Sequence, residues 1–580
     1  MRKFLKYAKP YWYFFAIAPM LMLVEVWCDV QIPSYSADIV NLGVASGEIT
    51  EIYKYMAMMV GTAVLAVCCG VSGSFFSSRA SVNFCCDLRE DLFSKIQEFS
   101  FNNIDEFSTG SLVTRLTNDI TQMQTTIVLA LRMIFRAPGM LIGAIYMAWQ
   151  INPSISTIYM CIFPVLISVI FLVLYYSYKK FSLLQIKIDG VNIKIREILT
   201  NVRVIKGFTR ENHENDEFET VNGELRGAGL AAYRITIMQL PIMTLVVNMA
   251  SVVIIYVGSV ALGKNEILVG DISAFLTYLT QILFSVNMLT NVFLQGSRAI
   301  ISAKRVSEIL DCEVDITDIF AKYKEKEVEK GDIEFRNVSF KYYKDNTEKV
   351  LSDVSLKING GETVGIIGST GSGKTSLVNM IPRLYDADSG AILVDGVDVR
   401  DYALKNLRDG VSVVLQQNSL FTGTISENLH WGDMEASDEE IRTVANWAQA
   451  HSFILEKEDG YDEWVDQGGV NFSGGQKQRL CIARALLKKP KILILDDSMS
   501  AVDTATEHAI SEHLKNELAG TTKIIIAQRI TSVVDADNIF VMNDGKIEAS
   551  GTHSELLKTS QTYREIFESQ TGKEVSEHGC

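Results

Sequence analysis

The hydrophobic rhythm of the chain changes once, near residue 300. Before that point long uncharged apolar runs recur, and a helix of about 20 such residues crosses ~30 Å of hydrocarbon. Six runs qualify, over 12–33, 55–77, 133–150, 154–177, 235–262 and 272–297. Pro153, in the Gln150–Ser154 connection, marks a very short loop between the third and fourth. The connections 78–132 and 178–234 keep helical patterning with few breakers, so they are predicted to extend the membrane helices inward. About fifty residues of helix reach ~75 Å, far beyond a bilayer, which makes each pair a hairpin with a tip able to touch another domain.

After Arg298 the chain becomes charged, reading KYKEKEVEK over 322–330, and at Gly331 the period shortens to that of a strand. DIEFRNVSFKY alternates apolar and polar positions, and GETVGIIG, VSVVLQ, KILILDD and TKIIIAQ read as buried strands between helices. The predicted fold is therefore a six-span α-helical transmembrane domain over 1–310, a linker over 311–331, and an α/β domain with a mainly parallel, doubly wound sheet over 332–570, followed by a tail over 571–580.

Charge orients this plan. Arg2, Lys3, Lys6 and Lys9 precede the first span, and Lys179, Lys180, Lys187, Lys194, Arg196, Arg203, Lys206 and Arg210 follow the fourth, whereas the loops 34–52 and 263–271 are short and mostly acidic. By the positive-inside rule the N-terminus and the α/β domain are cytoplasmic. The basic start followed by an apolar run raises a signal peptide as an alternative. No small-residue cleavage site follows, so the segment is read as an uncleaved first helix with an amphipathic lead-in at the lipid bilayer surface. A formal net charge of −15 offers no basic field for a phosphate backbone and argues against nucleic acid as a partner. The nine cysteines are odd in number and lie mostly in or near apolar stretches, so no structural disulfide is expected.

Candidate chemistry clusters in the second half. Gly368, Ser369, Thr370, Gly371, Ser372, Gly373, Lys374 and Thr375 read GSTGSGKT between an apolar strand and a helical segment. This is a phosphate-binding P-loop in its required context: glycines let backbone N–H groups turn inward, the lysine reaches the β- and γ-phosphates, and the threonine holds Mg²⁺. A second buried strand ends in Asp496 and Asp497, and the first of these carboxylates suits the Mg²⁺ shell. Between them FSGGQ, Phe472 to Gln476, opens a helix, so that Ser473 and the Gly474 and Gly475 amides form an anion site at its N-terminus.

In that order these elements resemble the ATP-binding-cassette (ABC) family, and FSGGQ resembles its signature motif. The resemblance covers about residues 1–570. It implies that ATP and Mg²⁺ are bound, and that the signature closes on the γ-phosphate of ATP held by an opposite subunit. It further implies an adenine-stacking role for Tyr342, with Tyr343 as the alternative, and a Mg²⁺-contacting lid glutamine at Gln416, with Gln417 the other register. Ser500 to Asp503, SAVD, resembles the loop crossing the dimer interface. VDQGGVN, with Gln467 in the usual acidic position, resembles a loop specific to exporters. On the membrane side, STGSLVTRLTND (108–119) and VRVIKGFTREN (202–212) resemble the two coupling helices.

Two positions depart from the family pattern. Asp497 stands where a hydrolysing cassette has the glutamate that orients the attacking water, and Gln528, in IAQR, stands where the family has a switch histidine. One methylene less retracts the carboxylate by about 1 Å, a misplacement able to cost on the order of a hundredfold in rate. A glutamine amide can donate to a phosphate oxygen but cannot become a cation.

The resemblance is therefore to one half of bacterial heterodimeric multidrug exporters. It implies a multi-pass cell-membrane protein with slow hydrolysis at its own site and a second half-transporter as partner, a homodimer being the alternative. The expected cargo is amphipathic or drug-like, with lipid and peptide export, import on the same fold, or a regulatory nucleotide-binding subunit as rival readings. Glu25 and Asp29, four apart in the first span, share a helix face. They are either a contact for a cationic substrate or a gate, or a structurally paired or interfacial couple.

Overall fold

The computed structural model describes residues 2–342 and 348–571; Tyr343 and the tail from 572 fall outside them. The chain divides into two compact units, one holding the sequence up to Gln97 with Gly110–Cys312, the other Glu98–Thr109 with the chain from Glu313 onward.

The first unit is helical: α1 (Trp12–Asp38), α2 (Ile49–Gln97), and then, after the segment 98–119, α4 (Ile120–Ile151), α5 (Pro153–Thr200), α7 (Glu211–Gly263) and α8 (Val269–Asp311). Among the described residues, six helices are long and apolar enough to cross a membrane. Pro19, Pro33, Pro138, Pro164 and Pro241 lie inside them, as neighbouring helices in a membrane allow. Pro153 starts a helix rather than sitting in a loop: the Asn152 side chain accepts from the N–H groups of Ser154 (3.0 Å) and Ile155 (3.2 Å), and proline at the first helical position has no N–H to orphan. The hairpin of α5 and α7, joined through the short helix α6 (Val202–Gly207), is zipped by Lys187–Glu224 (2.6 Å) and by Lys194 between Glu214 (2.9 Å) and Glu217 (2.6 Å). The hydrogen bond Lys194 donates to Glu217, with that to Glu214, raises its pKa.

The second unit begins inside the membrane half of the sequence. Its helix α3 (Phe101–Phe107) is opened by Ser100, whose hydroxyl and Asn103 form a reciprocal cap, and is ended by Ser108 in the left-handed region at φ 56°. Ser100 and Asn102 donate to the two oxygens of Asp315 (2.8 and 2.7 Å), and Tyr385 donates to Asp105 (2.9 Å). Of the segment expected to act as a coupling helix, 108–119, the residues after Ser108 already lead into α4, whereas 101–107 is a short helix that packs on the α/β domain. The stretch read as a linker folds with this unit from Glu313 on. Its end is pinned by Asp395, whose carboxylate accepts the backbone N–H groups of residues 329 to 332 at 2.7–3.0 Å.

A four-stranded antiparallel sheet carries β1 (Ile333–Phe340), β2 (Leu351–Ile358), β4 (Ser389–Val394) and β5 (Val397–Asp398) in the order β2-β1-β4-β5. The main sheet holds β3 (Thr363–Gly368), β6 (Val411–Val414), β7 (Ile492–Asp496), β8 (Thr522–Ile526), β9 (Asn538–Asn543) and β10 (Lys546–Gly551). Its order is β10-β9-β3-β8-β7-β6, parallel except for the β9–β10 pair. Every residue of β7 and β8 is buried, as helices covering both faces require. Ile526 sits level with Ile366 on one side and Asp496 on the other. The carboxyl ends of three adjacent strands therefore open at one place.

Candidate nucleotide site

The P-loop leaves β3 at Gly368, where an added Cβ would lie 2.2 Å from the Met542 carbonyl oxygen, so the loop can start only from glycine. Gly373, at φ 93°, makes the left-handed turn into α9 (Lys374–Asn379). Lys374 Nζ folds back to donate to the carbonyls of Gly368 (2.9 Å) and Ser369 (2.7 Å). Burial lowers the Lys374 pKa, against the pull of Asp496 and Asp497.

Opposite this loop, β7 delivers Asp496 and Asp497. Burial raises the Asp496 pKa while a hydrogen bond with Thr375 opposes it, and its Oδ2 is buried without a hydrogen-bond partner among the described residues. An orphaned carboxylate oxygen beside a threonine hydroxyl fits the protein share of a Mg²⁺ shell, which takes few side-chain ligands and completes itself with water and phosphate. Asp497 adopts φ 48°, a conformation aspartate tolerates better than most residues. Gln528, just beyond β8, donates from Nε2 to Asp497 Oδ2 at 3.0 Å. Burial also raises the Asp497 pKa, opposed by hydrogen bonding from Gln416 and then by Lys374.

These groups line one cleft of about 290 Å³, with Thr370, Gly371, Ser376, Gln416 and Tyr342 on its wall. The Tyr342 hydroxyl is 2.7 Å from Ser376 Oγ, and its ring lies edge-on to Phe340 and Tyr385. Ser473 and Gln476 are elsewhere in the same unit, at the start of α10 (Gly474–Leu487), where each side chain caps the other's backbone N–H. Gln478 of α10 accepts from the Ala501 N–H (3.1 Å), joining the signature helix to the SAVD loop, a link the sequence reading missed. Asp503 caps α11 (Thr504–Glu517) by accepting from Thr506 N–H at 3.0 Å, and that bond lowers its pKa. Gln467 lies in a short turn, Gln467–Gly469.

In the first unit, Glu25 and Asp29 do not face an empty space. Arg136 of α4 reaches both, Nη1 to Glu25 Oε1 at 2.9 Å and Nη2 to Asp29 Oδ2 at 3.2 Å. The sequence reading missed this cation although it lies inside the third predicted span. An arginine in an apolar run is itself the signal that an acid on another helix is its partner.

Fold and cleft together define a transporter driven by ATP. Residues 15–286 match the family model for the ABC transporter transmembrane region, and residues 351–500 that for the ABC transporter. The chain is 38% identical, over the full length of both proteins, to YfiB of Bacillus subtilis, an uncharacterized ABC transporter ATP-binding protein. It is 32% identical to YgaD of the same organism, a candidate multidrug export ATP-binding/permease protein, over 98% of each. A bacterial Atm1-family ABC exporter with ATP bound has the same fold, with a TM-score of 0.79 over 96% of this chain and 98% of the other at 23% identity. The chain belongs to the ABC transporter family. It is a multi-pass membrane protein with an ATP-binding domain whose ATP hydrolysis is coupled to transport.

Proposed function

We propose that the chain is one half of an ATP-driven exporter of amphipathic or drug-like molecules, and that its own P-loop binds ATP but turns it over slowly. The observation that carries this reading is the 3.0 Å bond between Gln528 and Asp497. The two residues that depart from the family pattern satisfy each other. A carboxylate held by a neutral amide and shorter by a methylene is a poor device for orienting water, because general-base catalysis needs the base within hydrogen-bond reach of the proton it takes.

The rest of the site is intact for binding. Gly368 to Gly373 present the loop, Lys374 and Thr375 would face the phosphates, Tyr342 would offer a ring to the base, and Gln416 and Asp496 with Thr375 would hold Mg²⁺. That ion would neutralise charge on the phosphates. FSGGQ and Asp503 do not line this cleft, which suits residues that complete a site on a second half-transporter. Glu25 and Asp29, tied to Arg136, are assigned to locking α1 against α4 rather than to a cationic cargo. Export of drug-like molecules is supported by the likeness to YgaD.

The test is restoration. The chain with Asp497→Glu and Gln528→His, purified by a tag on this chain together with whatever half-transporter accompanies it, is expected to hydrolyse ATP about 10- to 100-fold faster at this site. Brisk hydrolysis by the unaltered chain without a partner, or no gain on restoration, refutes the division of labour.

A further inference from the structure

The loop carrying Gln528 is held from outside the nucleotide cleft. Beyond β10 the chain forms α12 (His553–Thr559) and α13 (Gln561–Thr571). Gln570, near the end of α13, spans the loop with one side-chain amide: Nε2 donates to the Gln528 carbonyl at 2.6 Å, and Oε1 accepts the Ile530 N–H at 2.9 Å. This is the pairing a neighbouring strand would give, supplied by a side chain. Ile530 is only 2% exposed, so its N–H has little water to turn to if that acceptor is lost. On the loop's far side Ser532 donates to Glu507 of α11, the helix that Asp503 caps.

The amide is mounted rigidly. Tyr563 of α13 is fully buried, and its hydroxyl is 2.7 Å from His553 Nδ1. The His553 ring also packs on Phe567 with centroids 5.5 Å apart, and Thr562 donates to Glu548 of β10 at 2.6 Å. Strand β10, helix α12 and helix α13 thus form one buttress. A continuous path runs from Gln570 through the backbone of Gln528 to its amide and on to Asp497.

We propose that Gln570 is a positioning residue for ATP hydrolysis: it sets the height of the switch loop, so that the side chain at 528 reaches the γ-phosphate and the carboxylate at 497. The C-terminal helix is then part of the ATPase machinery. The hold is on backbone, so it acts whatever side chain stands at 528. The inference rests on the role given above to position 528, and the experiment separates the two.

Hydrogen exchange of residues 526–533 is measured in the full-length chain in its membrane assembly, unaltered and with Gln570→Ala or Gln570→Glu. ATP hydrolysis is measured in the chain restored by Asp497→Glu and Gln528→His, with and without the same changes. Gln570→Ala is expected to raise exchange at Ile530 at least about tenfold as its N–H loses a buried acceptor. It is expected to cut the restored kcat by about 3- to 10-fold, the effect of a loop moved by less than 1 Å, with KM for ATP within about twofold because the P-loop and Tyr342, which carry most of the binding, lie on other elements. Gln570→Glu keeps the acceptor for Ile530 but turns a carboxylate oxygen toward the carbonyl at 528. It should lower kcat as alanine does while exchange at Ile530 stays near that of the unaltered chain. Unchanged exchange in Gln570→Ala overturns the hold, and raised exchange with an undiminished restored kcat overturns its role in hydrolysis. A restored chain that gains no turnover at all overturns the role given to position 528, and the catalytic part of the inference with it.

Discussion

Replacing Arg136 with alanine is expected to lower the unfolding temperature of the membrane unit on the order of 10 °C, as read by thermal unfolding in nanodiscs. The guanidinium is shared by Glu25 on one turn of α1 and Asp29 on the next, so its loss strands two carboxylates at once. Glu25 is 8% exposed, and its second oxygen has no hydrogen-bond partner among the described residues. Removing one member of a buried ion pair costs about 3–5 kcal/mol, chiefly because the other charge stays buried. The surroundings leave little room to adjust: a Cβ added at Gly70 of α2 would lie 3.1 Å from the Glu25 carboxyl. Gln281 of α8 also donates to the Asp29 carbonyl at 3.0 Å, which ties a third helix to the same turn. Neutralising all three, as Glu25→Gln, Asp29→Asn and Arg136→Met, should recover most of the loss, since the stranded charges go too. A chain that keeps its unfolding temperature in Arg136→Ala but changes its transport of organic cations would return the two acids to the substrate path.

Lys374→Ala is expected to weaken ATP binding at this chain's cleft by about 100-fold, with no comparable loss at a partner's site. Hydrogen bonds to a charged group contribute about 1.5–3 kcal/mol each, and 1.4 kcal/mol is a tenfold change in Kd. Lys374 is the one cation of the P-loop, and it stands near Asp496 and Asp497, whose charges it helps to offset. Lys374→Arg keeps the charge on a planar group too wide for the carbonyls of Gly368 and Ser369, and it should fall between the two. The measurement is photolabelling with an azido-ATP analogue, with the labelled chain resolved from its partner. Equal labelling of the alanine variant and the unaltered chain would remove the cleft from consideration as the nucleotide site.

The chain's sequence determined by itself what depends on neighbours along the backbone. Six apolar runs had to become spanning helices, because a segment in hydrocarbon must satisfy its own backbone groups. GSTGSGKT had to become a phosphate loop, because its glycines, lysine and following helix all lie within a dozen residues. The departures read at Asp497 and Gln528, on which the proposed slow turnover rests, come from the same local pattern, each standing in an otherwise intact motif.

What the tertiary structure decided are meetings between residues far apart in the chain. Asp497 and Gln528 are 31 residues apart, and only the β7–β8 register makes them partners. Arg136 finds Glu25 and Asp29 because α4 packs on α1, and no spacing in the sequence encodes that pairing. Residues 101–107 join the α/β domain through Asp315 and Tyr385, more than 200 residues later, a docking that no motif in the sequence marks. Gln570 was invisible for the plainest reason: a glutamine near the end of an amphipathic helix has no signature, and its meaning lies wholly in the two backbone groups that folding brings to it.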